Sequence, residues 1–399
     1  MRPAWILFGA MFCASLGHSV LAPVLPSLMR ELGLSALQGG LILTVSSTAW
    51  VICCPWWGRR SDVRGRKPFI MLGLTGLGLG VGLFALVMHA GLAGVIVSST
   101  LVWLLLVGAR VIVAALHSAS APATQAYIAD VSSGQRRTRA IGIMSSAKGL
   151  GTILGPALGA IVVSFGLSLV APIIVSAITP LVGMLLVWRL LPQTESTLKR
   201  GERAPTLTAF DPRLLPLLII SFCAMMVPAV VNFTLGYMVQ DRFALDAVET
   251  TRLTGLAVMA SGAALFFTQI VLIQVFRLSP LKLLRLGMPL ALLSLMLLTV
   301  AAGSLQVILA MALLGLGIGM VQPGFRSAVT FAVEPHEQGA AAGLASSIPA
   351  YSYIIGPALG TALYGINPVS PFLLESLVLL TGIGVLVLHP RTRAFQPAI

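Results

Sequence analysis

The chain has 399 residues, 57% of them hydrophobic and only 9% charged, with a mean hydropathy of +0.98. That little charge cannot cover a soluble surface, so the composition excludes a soluble globular domain and requires a polytopic helical membrane protein. The formal net charge of +13 invites a nucleic-acid partner, and the placement of the cations argues against one.

Apolar segments of about 20 residues recur along the chain, each long enough to cross a hydrocarbon core of about 30 Å. Strand-period alternation is missing, which speaks against a transmembrane barrel. In chain order the expected spans are 4–27, 39–57, 68–88, 98–129, 139–163 and 168–191, then 213–239, 252–276, 282–302, 305–332, 339–365 and 370–389. The first has no small-residue cleavage site and reads as a retained span, not a removed signal peptide. The polar stretch 192–212 reads as a linker between an N-terminal six-helix bundle, 1–191, and a C-terminal one, 213–399. Cys13, Cys53, Cys54 and Cys223 all sit in apolar runs, where cysteine acts as a small hydrophobe.

Nineteen of the 25 Lys and Arg fall in expected inner loops or tails. Three lie in outer loops (Arg30, Arg242, Arg252) and three inside spans (Arg110, Lys148, Arg326). This positive-inside bias places both termini in the cytoplasm. A basic inner face could also gather anionic lipid or substrate.

Between the second and third spans, residues 58–67 hold five cations, one carboxylate and two glycines. Gly58 and Gly65 permit a tight turn. Asp62 can accept backbone amides at a helix start and pair with arginine. A solvated topogenic loop would need only the cations, so the glycine–aspartate spacing favours a latch between helices.

The halves are related by an internal repeat. Pro122 and Pro156 recur as Pro323 and Pro357, at an offset of 201 residues. At that offset Gly155-Pro156-Ala157-Leu158-Gly159 maps onto Gly356-Pro357-Ala358-Leu359-Gly360, Gly142 onto Gly343, and Ser145-Ser146 onto Ser346-Ser347. Six spans per half, both starting inside, make a parallel repeat about an axis along the membrane normal, with substrate near the midplane.

These features together resemble the major facilitator superfamily, in its drug:proton antiporter branch of tetracycline and multidrug exporters. Gly58-xxx-Asp62-xx-Gly65-Arg66-Lys67 is similar to the superfamily's loop signature. Arg110 and the later Ala126-Tyr127-Ile128-Ala129-Asp130 resemble the branch's fourth-helix pattern, with Ala114 where a glycine is usual. Gly151, Gly155, Pro156 and Gly159 resemble the fifth-helix antiporter signature, with Ala160 replacing a final glycine. The Ala22-Pro23-Val24-Leu25-Pro26 run also fits. The resemblance implies an all-α fold of twelve spans and a monomer in the bacterial cytoplasmic (inner) membrane. It implies a conformational latch of Gly58, Asp62, Gly65, Arg66, Lys67 and Asp130, and export in exchange for protons.

An ionisable group in hydrocarbon costs about 2.5–3.5 kcal/mol on insertion scales, so each one inside a span is a functional candidate. His18, Arg110 and His117 are the proton-coupling candidates; histidine titrates near neutrality, and Arg110 takes that role by resemblance. Packing or snorkelling is the alternative for His18, Lys148 and Arg326. Glu375, near the outer end of the last span, is expected to reach interfacial water. No acid lies clearly at mid-membrane, which weakens proton antiport. Three buried cations suit an anionic or zwitterionic substrate such as a siderophore-like metallophore. The substrate-cavity candidates are Arg110, Gln125, Lys148, Asn232, Tyr237, Gln269, Gln322, Arg326, Tyr351 and Tyr353.

No metal-ligand spacing, nucleophile motif or phosphate loop is present, so no metal, no cofactor and no enzymatic activity are expected. A proton-independent uniporter or symporter is the serious rival, and a non-transporting receptor the remote one.

Overall fold

The computed structural model describes residues 2–132, 134–165, 168–193, 208, 210–272, 278–334 and 337–389. The helices there are α1 Arg2–Ser19, α2 Leu21–Glu31, α3 Ala36–Arg64, α4 Lys67–Leu92, α5 Ser99–His117, α6 Ser120–Val131, α7 Gly134–Ser164, α8 Ala171–Leu190, α9 Leu215–Phe243, α10 Ala247–Phe267, α11 Pro280–Thr299, α12 Ser304–Phe331, α13 Gln338–Ile366 and α14 Ser370–Leu388. Among the described residues eleven spans are long and apolar enough to cross a membrane, and α13 adds a 29-residue helix. The all-α, multi-span expectation holds.

Two of the expected single spans are each two helices. Proline explains both breaks, because it has no N–H for the carbonyl four residues back. Pro23 leaves the carbonyl of Ser19 without that partner, and the first span breaks between α1 and α2. Pro122 does the same to Ser118, and the fourth span breaks between α5 and α6. In each case a histidine, His18 or His117, lies in the last turn before the break.

The segment 58–67 differs from the turn expected there. Helix α3 starts under a capping box of Ser35 and Gln38 and continues through Gly58 and Asp62 to Arg64. The turn is only Gly65 and Arg66. Gly65 has φ 86°, a left-handed value that favours glycine. Gly58 is helical, and a Cβ there would meet Pro122 at an ordinary 3.6 Å, so no turn requires it.

The contacts divide the chain into two compact units. Unit 1 comprises Met1–Arg200 with Val239–Met259, and unit 2 comprises Gly201–Met238 with Ala260–Ile399. In unit 1, α7 packs on α1, and α8 packs on α1 and α4. In unit 2, α11 packs on α12 and α14. Helix α10 ends in a π-helical turn, Thr268–Leu272, which contains Gln269.

Candidate transport site

At the α3–α4 turn one guanidinium gathers two carboxylates. Arg66 Nε donates to Asp130 Oδ2 at 3.0 Å, its Nη1 donates to Ser61 Oγ at 3.0 Å, and the same Nη1 pairs with Asp62. The Arg66 side chain is 12% exposed. Burial works against its charge, and the hydrogen bonds to Asp62 and Asp130 outweigh that and hold its pKa above the usual arginine value. Lys67 Nζ caps the Trp188 carbonyl at 2.9 Å, which fastens the start of α4 to the end of α8. Tyr127 is buried, its hydroxyl donating to the Pro192 carbonyl at 3.1 Å. The six latch candidates thus divide. Asp62, Arg66 and Asp130 form one charge cluster, Lys67 and Gly65 shape the turn around it, and Gly58 stands apart in α3.

The small residues of α7 form a seam on the first span. A Cβ at Gly151 would lie 2.6 Å from Ser15 Cβ, and one at Gly159 would lie 3.3 Å from the Val20 carbonyl oxygen. Ser19 Oγ donates across this seam to the Gly151 carbonyl at 2.8 Å. Only backbones without side chains approach this closely. The repeat partners do the same in unit 2, where Gly356 meets Ala229 and Gly360 meets Val230 and Thr234 of α9.

Beside the seam lies a cluster of basic groups. The His18 and His117 rings are 6.4 Å apart, and Trp50 of α3 meets His117 edge-on at 5.0 Å. His117 Nδ1 is 3.3 Å from both the Gly73 carbonyl and Ser120 Oγ. Arg110 is 7% exposed, with its guanidinium carbon 5.8 Å from the Phe84 ring centroid. Its Nη1 has no hydrogen-bond partner. His18 shares its electrostatic surroundings with Arg110, His117 and Lys148. His18 and Lys148 are exposed, so the cluster is uncovered on one side of the unit. The sequence named all four basic groups. It missed Trp50, which lies 60 residues before Arg110 and carries no pattern of its own.

Glu375 requires a correction. It does not reach interfacial water: it is 0% exposed, and neither carboxyl oxygen has a hydrogen-bond partner. It belongs to the buried face of α14, with Phe372, Ser376, Leu379, Gly382 and Leu386. That face packs against α11 and, through Gly382, against Cys223 of α9. The signal was available, because Glu375 sits in the helical period of that face.

The remaining candidates scatter. Asn232 hydrogen-bonds Tyr353, and Gln322 Nε2 approaches Met225 Sδ at 3.8 Å. Tyr237 is 3% exposed and packs on Tyr364, so its ring faces the core of the bundle. Gln125, Arg326 and Tyr351 are exposed, and Gln269 is half-buried.

Residues 7–357 match the family model described as Major Facilitator Superfamily. The chain belongs to the Major Facilitator Superfamily. It is a multi-pass membrane transporter of the efflux type, not an enzyme. Multidrug resistance protein 2 of Bacillus subtilis (strain 168) is 26% identical over 405 residues, covering 95% of this chain and 93% of that protein. The class E tetracycline resistance protein of Escherichia coli is 28% identical over 369 residues, covering 89% of this chain and 86% of that protein. Among solved structures, the nucleoside transporter NupG superposes with a TM-score of 0.76 at 13% identity, covering 96% of this chain and 99% of that one. The human organic anion transporter MFSD10 superposes with a TM-score of 0.66 at 19% identity, covering 96% and 99%. At those identities the structures attest the superfamily fold alone.

Proposed function

We propose that the protein moves a small organic molecule out of the cytoplasm by alternating access, in exchange for protons. The repeat-related halves, 1–191 and 213–399, are the bodies that move, and both termini face the cytoplasm of a bacterial inner membrane. The observation that carries proton exchange is Glu375. The sequence seemed to lack a membrane acid, and α14 supplies one, fully buried with both oxygens unpartnered. A carboxyl so placed is carried as the neutral acid, because an unpaired buried charge is too costly. Among the described residues, Cys223 of α9 is a titratable group that feels its charge. Cycling between this buried site and a wetter one would take up a proton on one side and release it on the other. The two efflux relatives support the outward direction, and their names place drugs and tetracycline among the molecules to try first.

The Arg66–Asp62–Asp130 cluster serves as the conformational latch, a reading supported by the two ion pairs of Arg66. The test is flux in proteoliposomes under an imposed pH gradient. Substrate should accumulate on the more acidic side; accumulation indifferent to the gradient would defeat the antiport reading.

A further inference from the structure

We infer that the basic cluster of unit 1 is a binding subsite for an anionic, carboxylate-bearing aromatic substrate, with Arg110 as its charge anchor. This rests on the export reading and names the class of cargo. Arg110 is nine-tenths buried and its Nη1 has no partner. A buried guanidinium keeps its charge and needs an acceptor, since an unpaired one costs several kcal/mol. Among the described residues, no acidic side chain forms an ion pair with His18, Arg110 or His117. The described acids of the first six spans lie at their ends: Glu31 closes α2, Asp62 is in the last turn of α3, and Asp130 is near the end of α6. Among the described residues Arg110 Nη1 is thus left without an acceptor, and a ligand carboxylate is a group that can supply one.

The rest of the geometry fits a carboxylate on a flat ring. A guanidinium binds a carboxylate with two parallel hydrogen bonds. The exposed His18 imidazole, 6.4 Å from the His117 ring, adds an N–H donor on the open side of the cluster. Trp50 and His117 meet edge-on at 5.0 Å and make an apolar corner for an aromatic face. A cationic molecule would meet the same field as repulsion.

The test uses two xanthene dyes of similar shape and opposite charge, anionic fluorescein and cationic rhodamine 6G. Their binding to the purified full-length protein in lipid nanodiscs is read by fluorescence anisotropy. Fluorescein should bind at least about tenfold more tightly. Arg110→Gln should abolish that preference, Arg110→Lys should restore part of it, and His18→Ala, at an exposed position, should weaken fluorescein alone. Elution at the wild-type volume on size exclusion certifies that each variant is folded. Equal or tighter rhodamine binding, binding of neither dye, or fluorescein affinity unchanged by the Arg110 variants would overturn the proposal. Energised inside-out vesicles separate the two readings. Uptake of rhodamine without fluorescein sinks the anion subsite and leaves export standing, whereas uptake of neither dye counts against export itself.

Discussion

Helices α8 and α14 bury the same face, position for position, at an offset of 199 residues. Pro172, Ile173, Ser176, Ala177, Pro180, Gly183 and Val187 of α8 match Pro371, Phe372, Glu375, Ser376, Leu379, Gly382 and Leu386 of α14. Even the contacts correspond. Gly183 approaches Cys13 of α1, and Gly382 approaches Cys223 of α9. At only one of these pairs does an ionisable residue replace a neutral one. Ser176 satisfies its hydroxyl on the Ile173 carbonyl at 2.7 Å, whereas Glu375 satisfies nothing. The opposite substitution occurs in the other repeat pair. At the 201-residue offset Arg110, His117 and Lys148 become Met311, Ile318 and Pro349. The repeat preserves packing and distributes charge unevenly, with the buried base in unit 1 and the buried acid in unit 2.

The sharpest way to break this comparison is to move the base. Met311→Arg places a charge at a position that is fully buried and lined for methionine. An uncompensated buried charge costs about 3–5 kcal/mol, so the variant should lose most of its folded yield, read by fluorescence-detected size exclusion. A wild-type yield would mean that the twin sites are equivalent. The reverse change, Arg110→Met, should leave the fold intact, because replacing a buried charge by an apolar group of similar volume is often neutral. It should cost about 2 kcal/mol or more of anion binding, roughly 30-fold.

The seam gives an intermediate effect. Gly151 is paired by the repeat with Ser352, which is buried in α13. Gly151→Ser should lower stability by about 1–3 kcal/mol through overpacking against Ser15 and Leu16, measured as a fall in Tm in detergent. No change would show that unit 1 tolerates at the seam what unit 2 already carries. The smallest effect on stability belongs to the Arg66 charge cluster, the proposed latch. Asp130→Asn removes one of two carboxylates from Arg66 at the membrane edge and should cost about 0.2–1 kcal/mol. Its larger consequence should be kinetic, a changed turnover rate at unchanged expression.

Much of this was legible in the sequence. Spans, repeat and family all followed from apolar length and glycine–proline spacing. Those signals are local and periodic. The basic cluster was visible residue by residue, since a charge inside an apolar run stands out. That Trp50 meets His117, and that Arg110 Nη1 lacks a partner, depends on how α3, α4 and α5 face one another, and no spacing within one helix encodes it. The helix breaks were half-legible: Pro23 and Pro122 announced a disturbance, and the structure places it after the helix turn that carries a histidine each time. Residues 58–67 misled because glycine was taken as a turn residue at both positions, while only Gly65 has the left-handed backbone. Glu375 misled because distance along the helix from its end was taken for exposure; the helix face, not the depth, decides burial.

The division of labour between the units leads to an electrical expectation. An anion leaving and a proton entering move charge in the same direction, so an inside-negative potential should accelerate transport. Each charge gains about 2.3 kcal/mol per 100 mV.

The central claim is that Glu375 carries the exchanged proton. The direct measurement is fluorescein accumulation in energised inside-out vesicles, comparing wild type with Glu375→Gln at matched protein levels. The account predicts that wild type concentrates the dye when the vesicle interior is acidified, and that Glu375→Gln binds it with unchanged affinity but only equilibrates it. If Glu375→Gln still concentrates the dye in step with the pH gradient, the proton travels by another group and the account is contradicted.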